Sequence, residues 1–291
     1  MFRIISDGAC DFSPEQVRER NIHIVPFYIT FDGTTYLKEG IDISITDYFN
    51  KIQADKNLFP KTSQPNPQDY MDAMTPYLEA GEDVLIVTIA SKLSGSYNSA
   101  IIAQNTLSEE FPERKIEVID STSVTAGQAL LVNELITLRD SGASLTEAAD
   151  KGRKIAKTLK IYFTLDTLEY LKRGGRVGPT TALVGGILGL KPILQVVDGE
   201  ISQVDNVRGQ KKVISLMVEG LVGALSGQAD KVHLAVGHIL RPEDVVDFRQ
   251  QVESALDTTL ALPEISVGVT IGAHAGPGAL VVAYGARHTS I

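Results

Sequence analysis

The sequence predicts an α/β protein of two domains, the N-terminal one on a mostly parallel sheet and the C-terminal one on a mixed sheet. Three observations predict it. A chain of 291 residues is long enough for two cores of ordinary size. In the first half, β-branched apolar runs alternate with stretches of helical spacing, as in a parallel sheet with crossover helices. In the second, the Asp-Gly pair at 198–199 lies between two strand-like runs and marks an antiparallel hairpin.

Taken in order, "FRIIS" (2–6), "IHIVPFYITF" (22–31), "DVLIVTIA" (83–90) and "KIEVID" (115–120) read as strands, and 97–110 as a helix. Helical patterns at 124–140 and 144–158 follow one another through "DSGAS", where Gly142 can stop the first and Ser144 cap the second. This pair is expected to join the halves, with domains over 1–160 and 161–291. Beyond it, "KIYFTL", "KPILQVVDG", "EISQVDNVR", "KVHLAVGHI", "EISVGVTIG" and "ALVVAYG" read as strands, with helices near 166–172, 210–226 and 242–256.

Composition bounds the function. Apolar residues make up 43% and charged residues 22%, the balance of an ordinary globular chain. A net charge of −9, with basic residues dispersed except in "KTLKIY" and "YLKRGGR", disfavours a general nucleic-acid surface. The longest weakly polar run, "TALVGGILGL" (181–190), is far short of the ~20 residues that span a bilayer. "MFRII" followed by "SDGACDF" carries no export signal, and Cys10 has no partner for a disulfide or a thiolate cluster, so the expected compartment is the cytoplasm. His23, His233, His238 and His288 lack ligand spacing, and no metal or cofactor is expected.

Ligands of open parallel sheets bind beyond the carboxyl ends of the strands, where loops lead into helices. "SKLSGSYNSA" (91–100) sits at such an end. The unpaired N–H groups of a helix start, the hydroxyls of Ser94 and Ser96, and the bare backbone at Gly95 can together receive a carboxylate or phosphate. Ordinary N-capping by one serine is the alternative. "TSQPNP" (62–67) holds Thr62, Ser63 and Gln64 in a stiff segment, or simply turns the chain into a helix at Pro67. "GAHAGPGALVVAY" (272–284) sets His274 in a glycine-rich loop before the last strand.

The motifs "TSQPNP", "SKLSGSYNSA", "LEYLKRGGRVG", "LGLKPIL" and "IGAHAGPGALVVAY", in that order, resemble the DegV family of bacterial fatty-acid-binding proteins. The resemblance runs from "SDGACDF" to the C-terminus. It implies that one long-chain fatty acid is buried in a tunnel between two α/β domains. Some members present that acid to a separate ATP-dependent kinase subunit, which makes an acyl phosphate for phospholipid synthesis. Carried over by position, Thr62 and Ser94 are the carboxyl ligands, with Ser63, Gly95 and His274 close by, and Arg173 is the partner contact. Two segments depart from the family pattern: Gly8 and Ala9 replace a hydroxyl-bearing "SDS"-like start, and Asn66 stands where serine is usual.

Physical chemistry agrees with that implication. Each buried methylene contributes ~0.8 kcal/mol, so a sixteen-carbon tail contributes on the order of 10 kcal/mol before ordering costs, and a few hydroxyl and amide donors suffice for the head. "TALVGGILGL" could line the tunnel or simply pack between elements. The rival class is a serine-dependent esterase with Ser94 as nucleophile, His274 as base and Asp7 or Asp120 to orient it. Against it, "LSGSY" is not a G-x-S-x-G elbow, and no HGGG-type segment accompanies it. No phosphate-binding glycine motif occurs, so ATP would belong to a partner. The default oligomeric state is a monomer.

Overall fold

Unbroken apolar strands need cover on both faces, and the first sheet obtains it. The structure, a computed structural model, describes residues 2–55, 57–176 and 190–291. The first half runs β1 (Phe2–Asp7), α1 (Pro14–Glu19), β2 (Ile22–Val25), β3 (Tyr28–Thr30), β4 (Leu37–Lys38), α2 (Ile45–Ala54), β5 (Lys61–Ser63), α3 (Pro67–Glu79), β6 (Asp83–Thr88), α4 (Ser96–Glu110) and β7 (Ile116–Asp120). The order β2-β1-β6-β7 forms an all-parallel sheet. Ile5, Val84 and Ile86 pack on one face with Tyr70 and Met74 of α3 and Ala100 of α4, while Ile4, Leu85 and Val87 join the main core on the other.

The run 22–31, read as one strand, is two. Pro26 has no N–H for a ladder, and after it the chain leaves the parallel sheet. β3 pairs antiparallel with β4 and β5 in a small three-stranded sheet, in a register that sets Thr62 opposite Ile29 and Ser63 opposite Tyr28.

α5 (Ala126–Asp140) and α6 (Leu145–Ala156) follow; Gly142, at φ +87°, ends the first, and the Ser144 hydroxyl accepts the Glu147 N–H to cap the second. α5 is buried along most of its length and packs against strands of both sheets. The remainder is β8 (Lys160–Thr164), α7 (Glu169–Gly174), β9 (Leu190–Val197), β10 (Glu200–Arg208), α8 (Gln210–Ala224), β11 (Val232–His238), α9 (Pro242–Leu256), β12 (Ile265–Ser266), α10 (Val269–Ala275) and β13 (Leu280–Ala286).

The second sheet, ordered β10-β9-β8-β13-β11-β12, is mixed: β11 and β12 are parallel, and the other neighbours antiparallel. Its β9–β10 hairpin turns at Asp198 and Gly199, both at positive φ, as the Asp-Gly pair predicts. The run 264–272, read as a strand, is two strand residues and then α10. A short apolar run cannot by itself tell a buried helix from a buried strand. Packing decides here: a Cβ on Gly272 would lie 2.7 Å from the Phe49 ring, so the bare face of α10 rests on α2. The run 181–190 lies outside the described residues except for Leu190.

Candidate site: an apolar cavity with a polar end

β6 delivers residues 89–95 to the carboxyl edge of the first sheet, where α4 begins at Gly95 with no side-chain cap. The serines there divide their tasks. Ser96 is fully buried; its hydroxyl donates to Asp7 Oδ2 at 2.7 Å and accepts from Tyr70 at 2.7 Å. Ser91 donates its N–H to Asp120, and Ser99 is buried in the helix. Ser94 faces a cavity, and its Oγ accepts the Ser96 N–H at 3.2 Å, which leaves the hydroxyl proton free to donate.

"TSQPNP" performs both of the roles open to it. Asn66 caps α3 with a reciprocal capping box to Asp69, and Pro67 opens the helix, while Thr62, Ser63 and Gln64 face the cavity. Gln64 accepts the Gly95 N–H at 2.9 Å, so that amide is already engaged, and Gly95 itself is not among the lining residues.

His274 stands on α10 rather than in a loop. Its Nε2 lies 2.8 Å from Thr62 Oγ1, joining segments distant in the chain, and its Nδ1 is buried without a partner among the described residues. Burial, and secondly the charge of Arg176, push its pKa down to about 4, so it is neutral at pH 7. α7 holds it in place: a Cβ on Gly174 would meet His274 Nδ1 at 2.3 Å. Gly174→Ala should therefore displace the imidazole and break the Thr62 contact. Near-native thermal stability with a histidine resonance shifted in NMR is the expected result, and an unmoved imidazole would contradict it.

The cavity lies between the two sheets, with about 230 Å³ open to the centre of a water-sized sphere. Thr62, Ser94, His274 and Arg176 supply polar groups, and side chains such as Phe163, Leu165, Val196 and Val281 supply an apolar wall. Arg176 was not singled out by the sequence; its guanidinium donates to the Gly174 carbonyl at 2.6 Å and reaches the Leu93 carbonyl. No spacing signal could have selected it over Lys172 or Arg173. Arg173 is exposed on α7, stacked 3.8 Å over the Phe59 ring and hydrogen-bonded to Glu169. Gly175, at φ +68°, terminates α7.

The carboxylates considered for orienting His274 are engaged elsewhere. Asp7 is fully buried, its pKa raised by desolvation, and accepts from Ala9, Ile89, Ser96 and Gln128. Asp120 accepts from the Ser91 and Thr122 amides. Among the described residues, no group of three or more His, Cys, Asp or Glu side chains could hold a metal ion, and no helix is long and apolar enough to cross a membrane. The arrangement can receive one anion at hydroxyl and guanidinium donors and bury an alkyl chain behind it.

Residues 1–287 match the family model for uncharacterised proteins of the DegV family. A DegV domain-containing protein of Caldanaerobacter subterraneus subsp. tengcongensis is 33% identical over 279 residues, 95% of each chain. One from Clostridium perfringens is 30% identical over 284 residues, 97% of this chain and 96% of its own. Among solved structures, a stearic-acid-binding protein of Eubacterium ventriosum superposes over 100% of both chains with a TM-score of 0.95 at 33% identity. A fatty-acid-binding DegV protein of Thermus thermophilus gives 0.87 at 26%, over 98% of this chain and 99% of its own.

Proposed function

Since this chain belongs to the DegV family, we propose that it binds one long-chain fatty acid in a tunnel continuous with the cavity between its two sheets. The carboxylate is received at Thr62 and Ser94, with Ser63, Gly95 and His274 around them. The observation that carries the reading is the polar cluster of Thr62, Ser94 and His274, with Arg176 beside it, at one end of a cavity walled by side chains such as Phe163, Leu165, Val196 and Val281. A neutral His274 donating from Nε2 to Thr62 Oγ1 leaves the threonine proton to donate to the acid, as the Ser94 proton does. Hydroxyl donors hold a carboxylate less tightly than a bidentate arginine pair, which suits an acid that must later react.

The acid is presented to a separate ATP-dependent fatty acid kinase, which transfers the γ-phosphoryl group to a carboxylate oxygen to give acyl phosphate and ADP. Exposed Arg173 is the partner contact, and charge reversal there should abolish kinase coupling while leaving acid binding unchanged. The chain itself is non-catalytic and uses no cofactor, acting as a cytoplasmic monomer of two domains, 1–160 and 161–291. The strand arrangement supports that division, since β7 is the last strand of the parallel sheet and β8 opens the second.

The esterase reading finds little support in the geometry. His274 Nε2 contacts Thr62 rather than Ser94, and among the described residues no carboxylate partners its Nδ1. Native mass spectrometry of freshly purified protein tests both readings. One fatty acid per chain, with occupancy lowered by Thr62→Ala or Ser94→Ala and no turnover of an activated ester, is expected. A chain that takes up neither palmitate nor oleate, or an ester turnover abolished by Ser94→Ala, would overturn it.

A further inference from the structure

α10 carries His274, yet the residue that starts it, Gly268, has no side chain with which to cap it. Its first free N–H groups go instead to two acids from the first forty residues. Asp11 accepts from Gly268 at 3.0 Å, and Glu39 accepts from the Val269 and Thr270 amides and from the Thr270 hydroxyl. A Cβ on Gly268 would collide with Glu39 Oε1 and lie 2.7 Å from Asp11 Oδ1, so the contact needs bare backbone there. Burial raises the pKa of both acids, and the helix-start donors act against that rise.

Glu39 follows β4, and Thr62 lies in β5; both strands pair with β3, through Lys38 opposite Tyr28 and Thr62 opposite Ile29. The Glu39 N–H is itself fixed by the Phe27 carbonyl at 2.9 Å, just before β3. α10 packs on β3 and β5 of this small sheet. It is therefore tied to one sheet twice, at Thr270 by Glu39 and one turn later, about 6 Å along, by the contact of His274 with Thr62. A helix of seven residues is too short to persist unaided, so its register depends on what holds it.

We propose that Glu39 is a positioning residue for the carboxyl-binding end: it sets α10 so that His274 Nε2 meets Thr62 Oγ1, and thereby aims the Thr62 hydroxyl at the ligand. This rests on the fatty-acid reading and extends the site to a residue that is not among those lining the cavity. Without the tie, α10 is free to turn, the imidazole leaves Thr62, and the hydroxyl loses its orientation while Ser94 still donates. Glu39→Gln keeps the size of the side chain but turns an NH2 group toward N–H donors, so one side of the tie is lost.

The test measures palmitate affinity of the delipidated full-length protein as wild type, Glu39→Gln, Thr62→Val and the double variant. Glu39→Gln should weaken binding about tenfold, with no further loss once Thr62 is already valine, and should shift the His274 imidazole 15N resonances. Gly268→Ala, whose Cβ pushes the acid off the helix start, should act in the same way and decides the matter if Glu39→Gln does not fold. Losses of equal size with and without the Thr62 hydroxyl would make Glu39 a support of the fold alone and overturn the inference. Wild-type affinity in folded Glu39→Gln or Gly268→Ala protein would overturn it too, leaving the fatty-acid reading intact. A wild type that binds no palmitate would overturn both.

Discussion

Ala279→Phe is expected to abolish long-chain fatty acid binding while leaving the protein folded. Ala279 is buried at the cavity wall just before β13, and its carbonyl accepts the Ile239 N–H. A phenyl ring there would enter the cavity rather than the packed core, displacing roughly five methylenes of ligand. At ~0.8 kcal/mol each, that is ~4 kcal/mol, or about a thousandfold in affinity. Removing one head-group hydroxyl, by contrast, should cost about tenfold. Competition binding with palmitate, alongside a thermal melt, checks both statements. A folded Ala279→Phe protein that still bound palmitate at wild-type strength would put the tail elsewhere.

The second large effect concerns stability. Asp7 has no exposed surface and accepts four hydrogen bonds, from the Ala9 and Ile89 amides, the Ser96 hydroxyl and the Gln128 amide. Asp7→Ala would leave these donors in a dry interior and should cost about 3–5 kcal/mol. Urea unfolding should show the midpoint lowered accordingly. Because Ile89 and Ser96 flank the loop that carries Ser94, fatty acid occupancy should fall with it. A change below about 1 kcal/mol would mean that water replaces the carboxylate and that Asp7 is not the post on which the loop is built.

Much of the fold was legible because it rests on local signals. The apolar runs at 2–6, 83–90 and 115–120, the Asp-Gly turn at 198–199 and the Gly142–Ser144 junction each name their own structure. Two misreadings, 22–31 as one strand and 264–272 as another, share a cause: an apolar run states that it is buried, not against what. Pro26 was a visible warning of the first. Nothing in "EISVGVTIG" announced that Phe49, more than two hundred residues away, would require a bare helix face at Gly272.

The candidate site was legible as residue types and not as an assembly. Thr62, Ser63, Ser94 and His274 were selected by motif and do line one cavity, whereas Gly95 lies behind Gln64, and Arg173 lies on the surface. Arg176 lay inside "LEYLKRGGRVG", but nothing in that motif set it apart from Lys172 or Arg173.

By itself, then, the sequence determined the α/β class, the parallel first sheet, the hairpin and the family, since periodicity, turn chemistry and ordered motifs are carried by neighbouring residues. The tertiary structure alone decided that His274 meets Thr62 across 212 residues, that it does so uncharged, and that Asp7 is spent on the scaffold rather than on the histidine. The physical reason is the same in each case. Desolvation and hydrogen-bond partnership depend on what packs around a group, and that is a property of distant segments brought together, which no local stretch of chain contains.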